Sequence, residues 1–284
     1  MSYTTPMLPL LLIACAPKQI DPSNVDPHII SLGRSLFSKH IMAIGGSTAV
    51  KRHQTLLTQG KVRTPDNQVD LSFKTYRKAP NQILSIIEVI EQDGNAKHYI
   101  KGFDGDLGWE NSPQNIRQLE GKELELLKQE ADFYASLNHE TWYPHLLRIT
   151  EQEFAGHPTY RLETYNHLEE REDLFFDQES HLLLGKVRMV VPEINSETQA
   201  KKRSQRDIQE STTEIWTRYG HYVMVEDVQI PFSMEVNIDQ TSKLILLEEA
   251  TWDLSPSEKE AILIEPFSEP IQFPSSMLPN VQTP

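Results

Sequence analysis

Histidines and carboxylates are the side chains of this chain that could carry chemistry, and their spacing limits what they can do. His139-Glu140 starts like a zinc-peptidase helix, where two histidines four residues apart share one face and the intervening glutamate serves as base. Position 143 is Tyr, so the second ligand is missing. Asp104-Gly105-Asp106-Leu107-Gly108 with Glu110 has the outline of a calcium loop. Such loops need more oxygen ligands at fixed spacing, and Asp-Gly between strands is ordinary hairpin chemistry, so the turn is the stronger reading. Glu169-Glu170 and Glu248-Glu249 are adjacent pairs. On a strand, neighbours face opposite ways, which makes them poor acid–base dyads. Gly45-Gly46-Ser47 lacks the preceding strand and the Gly-Lys-Ser/Thr ending of a phosphate loop, and no Gly-x-Ser-x-Gly elbow occurs. No catalytic residue, metal ligand or cofactor emerges. A non-enzyme is expected.

Composition narrows the partners. The 284 residues hold 41 Asp and Glu against 27 Lys and Arg, a formal net charge of −14. That sign disfavours nucleic acid and anionic membrane surfaces. The one cysteine, Cys15, follows Leu12-Ile13-Ala14 at the end of an apolar run from Leu8. This order resembles the lipobox of bacterial lipoprotein precursors. The resemblance implies cleavage after residue 14 and lipidation of Cys15, with an outer-membrane destination because Ala16 rather than Asp follows. Met1–Met7 lacks Lys and Arg, and Pro9 interrupts the run; a misassigned start codon would account for both, and an ordinary N-terminus is the alternative. The run is too short to span a membrane. With no second cysteine, no internal disulfide is needed in an oxidising compartment.

The elements that would position any site are mostly strands. From Gln59 to Glu110 apolar residues alternate between turns: Val69, Leu71 and Phe73 point one way, and Asp70, Ser72 and Lys74 the other. Lys78-Ala79-Pro80-Asn81, Asp93-Gly94-Asn95 and Asp104-Gly105-Asp106 supply the turns. Strands resume from His145, and the cleanest alternation places Ile230, Phe232, Met234, Val236 and Ile238 on one face. Two helices are expected to cover this apolar face. The first starts at Asp26-Pro27, an N-cap with proline at the first helical position, and stops at Gly45-Gly46. The second runs from Gly121 to Asn138 on a broad stripe that includes Leu124, Leu127, Ala131 and Tyr134. Residues 15–25 read as a tether, 196–211 as a charged insertion in a long hairpin, and 254–284 as a proline-rich extension in which Ala261–Ile264 docks as an edge segment.

Several short motifs, taken in order, resemble the LolA/LolB-like superfamily, and in particular its outer-membrane lipoprotein-sorting branch. They are Ile44-Gly45-Gly46, Tyr76-Arg77-Lys78-Ala79-Pro80-Asn81, and Gly102-Phe103-Asp104-Gly105 with Trp109-Glu110. Phe176-Asp177 before Leu182-Leu183-Leu184 and Val228-Gln229-Ile230-Pro231-Phe232 complete the series. The likeness covers about Asp26 to Asp253. It implies an unclosed antiparallel β-barrel wrapped around helices, mainly β in class, with a hydrophobic cavity between sheet and helices.

Such a cavity carries lipoprotein acyl chains in the founding members, without catalysis. The expectation for this chain is therefore a monomeric, lipid-anchored protein on the periplasmic side of a bacterial envelope, holding lipid or lipoprotein acyl chains. Val69, Leu71, Phe73, Trp109, Phe232, Met234 and Val236 are the expected cavity residues. A structural or adaptor lipoprotein with a core filled by its own side chains is the alternative.

Overall fold

A computed structural model describes residues 22–64, 70–91, 94–113, 115–190, 212–238 and 241–255. Cys15, Val69, the 196–211 insertion and Ala261–Ile264 lie outside the described residues. After a 3-10 turn at Pro22–Asn24 come helix α1 (Pro27–Ala43) and the short α2 (Gly46–Arg52). Six strands follow: β1 (Thr55–Arg63), β2 (Asp70–Lys78), β3 (Gln82–Ile90), β4 (Ala96–Phe103), β5 (Gly108–Ser112) and β6 (Asn115–Gln118). Helix α3 (Gly121–Ala131) and the single turn α4 (His139–Trp142) lead to β7 (His145–Phe154) and β8 (His157–Tyr165). The last strands are β9 (Arg171–Asp177), β10 (Leu183–Val190), β11 (Thr213–Val225), β12 (Val228–Ile238) and β13 (Thr241–Trp252).

All thirteen strands form one antiparallel sheet in the order β6-β5-β4-β3-β2-β1-β13-β12-β11-β10-β9-β8-β7. Each strand pairs with its sequence neighbour except at two places. The last strand pairs with the first, Val62 opposite Ile245 and Leu56 opposite Trp252. β6 and β7, consecutive in the chain, are the two open edges. The sheet is therefore an unclosed barrel whose gap is bridged by the α3–α4 connection. Lys122 on α3 meets Glu170 at 2.5 Å in the β8–β9 turn, and the His167 amide donates to the Trp142 carbonyl at 3.0 Å.

The helices lie on the inner face. In α1 the Asp26 carboxylate accepts from the His28 amide at 2.8 Å, an N-cap that satisfies one of the free first-turn donors. Leu36 and Phe37 then pack against Leu146, Leu162, Leu174 and Phe176. The first turn of α2 depends on Gly45, whose φ of 120° and close approach to the Asp227 carbonyl leave no room for a Cβ. Leu127 and Ala131 of α3 pack on Ile83 and Phe103.

The helix expected over Gly121–Asn138 is shorter than its stripe suggests and ends at Ala131. Asp132 stops it: its carboxylate accepts from the Tyr134 amide (3.0 Å), Asn138 Nδ2 (2.8 Å) and Trp142 Nε1 (2.7 Å). A short acidic side chain that can bond local donors competes with helix continuation. Tyr134 and Leu137 consequently leave the α3 stripe and pack instead on the cluster of Ile44, Ala49, Val50 and Val228.

Candidate functional site: an apolar hollow on the inner face

Paired residues in an antiparallel sheet share a face, so register decides which side chains converge. Gly60 lies opposite both Phe73 and Leu247, Phe73 opposite Ile87, and Ile245 opposite Met234. These pairings bring Phe73, Ile87, Phe232, Met234, Ile245 and Leu247 onto one inner surface. The helices cover only part of it. Beyond α3, over β1–β5 and β11–β13 from Leu56, Arg77 and Ile230 to Val62, Ile87 and Met234, the surface borders a partly open hollow of about 930 Å³. That is near the upper end of the usual range for small-molecule sites, about 300–1,000 Å³. Ile87 and Tyr99 on its wall are each 39% exposed, so the apolar surface is not filled by the protein's own side chains.

One wall is polar. Lys101, Glu110 and Glu130 border the hollow. Glu110 accepts from Arg117 Nε at 2.7 Å, and Arg117 in turn grips Glu123 on α3 through two bonds of 2.6 and 2.9 Å. Tyr219 borders the hollow on the β11 side. Behind it on the same face, Lys186 Nζ lies 3.2 Å from Glu172 Oε1, which also accepts from the Tyr143 hydroxyl at 3.4 Å. Burial alone would lower the Lys186 ammonium, but Tyr219, Tyr143 and Glu172 outweigh it and hold the group above the ordinary lysine range. Burial pushes the Tyr143 phenol up, so it stays a hydrogen-bond donor. Glu110 is paired with Arg117, and Lys101 lies 3.9 Å from Glu130, which suits a site that selects by apolar area and shape.

The expected cavity residues divide by position. Phe73, Phe232 and Met234 line the hollow. Leu71 and Val236 share its face but stand one step nearer the strand ends, opposite Val62 and Lys243 respectively. Trp109 is not on this face: its neighbour Glu110 is, and strand alternation sends the indole to the other side. There the ring covers Gly102 so closely that a Cβ would stand 2.4 Å from it. Ile87, Tyr99, Ile245 and Leu247 were not anticipated; their signal was the register with β1, β2 and β12, which one strand's pattern does not carry.

The residues weighed for chemistry stay apart from one another. His139 stacks on Phe37 at 4.3 Å between ring centroids. Asp104 Oδ1 accepts from the amides of Asp106 (2.9 Å) and Leu107 (2.8 Å), as a turn-forming aspartate does. Glu170 pairs with Lys122, and Glu248 with Lys61 on the sheet surface. Among the described residues no helix is long and apolar enough to cross a membrane.

No family model matches the sequence, and no curated protein does. Among solved structures, a DUF1329 family protein from Desulfovibrio piger is similar with a TM-score of 0.50 at 13% identity, over 78% of this chain and 93% of that one. A LolA superfamily protein, NE2245 from Nitrosomonas europaea, gives a TM-score of 0.48 at 12% identity, over 79% and 95%. At such identities the likeness is one of fold. The chain is a mainly β protein, an unclosed antiparallel barrel with helices on its inner face, and its fold is similar to that of the DUF1329 family protein.

Proposed function

We propose that this protein binds the acyl chains of a lipid or lipoprotein in the hollow and holds or carries them at the bacterial cell envelope. The observation that carries the reading is the unfilled apolar surface around Phe73, Ile87, Phe232 and Met234, open on one side and about 930 Å³ in volume. Burying hydrocarbon there gains roughly 25 cal/mol per Å² and is non-directional, so shape would set selectivity. Residues 26–253 would form the binding unit. Residues 1–14 would be the export signal, and Cys15 the lipidated tether to the outer membrane on its periplasmic side. The unit would act as a monomer and without a cofactor. The motifs that resemble the LolA/LolB-like superfamily support this reading by analogy.

Native mass spectrometry of protein purified from bacterial membranes tests it, paired with displacement of a fluorescent fatty acid. Co-purifying lipid and saturable displacement are expected. A clean apo mass together with no probe uptake would favour a structural or adaptor lipoprotein instead.

A further inference from the structure

Beside the β11–β12 turn, four side chains from two segments converge on one imidazole. His53, between α2 and β1, is 1% exposed and stacks on Trp252 with ring centroids 4.4 Å apart. Its Nδ1 lies 2.9 Å from Asp253 Oδ2, and Asp253 is itself fixed by the amides of Gln54 (2.7 Å) and Thr55 (3.2 Å). Its Nε2 faces the β11–β12 turn, 3.0 Å from Asp227 Oδ1 and 3.9 Å from Glu226 Oε2. Arg52 holds the other oxygen of Asp227.

We propose that His53, Glu226 and Asp227 form a binding site for a divalent transition-metal ion of the Zn²⁺ type, with Asp253 orienting the histidine. Three observations support it. The ligand atoms lie within 4.8 Å of one another. Metal–ligand bonds of about 2.0–2.2 Å at a tetrahedral centre set ligands about 3.3 Å apart, and the distances of 3.0 and 3.9 Å bracket that spacing.

The second observation is the carboxylate behind the ring. A metal-binding histidine ordinarily donates its other N–H to a carboxylate, which fixes the tautomer and leaves the ligating nitrogen facing the metal. Asp253 stands where that partner belongs. The third is charge and access. Glu226, Asp227 and Asp253 against Arg52 leave a net −2 around the imidazole ring, which one divalent cation would offset. Glu226 is 58% exposed and Asp227 31%, so an ion could enter from solvent beside the buried ring, with the fourth position left for water.

The frame is rigid before any ion arrives. Asp227 backs directly on Gly45, the Gln229 amide donates to the Ile44 carbonyl at 2.9 Å, and Asp253 donates its amide to Thr55 at 2.9 Å. One His with two carboxylates suits a borderline cation such as Zn²⁺ or Co²⁺ better than a soft one.

The test is calorimetric titration of the chelator-treated full chain with Zn²⁺, with Co²⁺ absorption bands as an independent readout. One saturable equivalent is expected. Glu226→Gln, on an exposed turn residue and so without consequence for folding, should weaken binding at least about tenfold, and Asp253→Asn about 10–100-fold. His53→Gln should abolish it, with thermal melting confirming the variant folded. Absence of a saturable equivalent, or equal affinity in Glu226→Gln and the parent, would mean a histidine–carboxylate ion pair only and would overturn the assignment.

Discussion

Lys122 Nζ on the first turn of α3 lies 2.5 Å from Glu170 Oε1, in the turn joining β8 to β9. This pair ties the helix that rests on one wing of the sheet to the other wing, across the gap between the edge strands. Glu170 is only 10% exposed, so neutralising it strands a cation in a partly dry seam. Glu170→Gln should cost about 1–2 kcal/mol in denaturant unfolding and speed exchange of a bound fatty-acid probe. An unchanged exchange rate at reduced stability would show that the seam is structural and does not gate the hollow.

The hollow makes a separate prediction. Met234 sits amid apolar neighbours and is only half-buried, so the chain should still fold with a charge there. Met234→Glu should weaken fatty-acid binding at least about tenfold, equivalent to about 1.4 kcal/mol, with little change in melting temperature. Leu71→Glu, nearer the strand ends, should do less. Equal effects from both would move the binding surface off the hollow.

Asp132 collects three donors from the segment that follows it. Asp132→Ala leaves the Trp142 indole N–H and the Asn138 amide without their acceptor, at about 2–4 kcal/mol. Denaturant midpoints measure it directly. Asp132→Asn should recover part of the loss, because an amide oxygen still accepts.

Acid should destabilise the fold through His40. Burial lowers its pKa to about 4, opposed by a bond to the backbone of His181 and reinforced by the neighbouring His139, which is itself shifted down by burial. The unfolded imidazole titrates near about 6.5. Stability from the neutral ring is thus fully present above about pH 6.5 and drains away as pH falls toward 4, up to about 3 kcal/mol. Unfolding free energies measured at pH 7, 5.5 and 4.5 should fall in that order, and His40→Gln should flatten the slope. A slope that survives the substitution would locate the sensitivity elsewhere.

Much of this fold is legible in local pattern. Asp26-Pro27 gives a helix start that the capping bond explains, and the alternation through Ile230–Ile238 places Phe232 and Met234 on the inner face. Illegible were the features that depend on pairing between distant segments. Trp109 reads as a cavity aromatic until its register with Gly102 fixes the parity. α3 reads as continuing to Asn138 because periodicity cannot reveal that Asp132 will find Trp142 and Asn138 as partners. His53 carries no motif at all: its neighbours Asp227 and Asp253 lie 174 and 200 residues away. Only the closing of β13 on β1 and the seat of the β11–β12 turn on Gly45 bring them together.

That closure also dictates the order of events at the ribosome. The amino-terminal run of strands from β1 and the carboxy-terminal run ending in β13 are each simple meanders, and within the sheet they pair with each other only between β1 and β13. Until the final strand leaves the exit tunnel, the first has a bare flank, and the two meanders are separate ribbons. Shortening the chain to stop before Thr241 would therefore strand two unpaired edges in the middle of what should be one surface. Such a fragment should aggregate rather than persist as a smaller version of the protein.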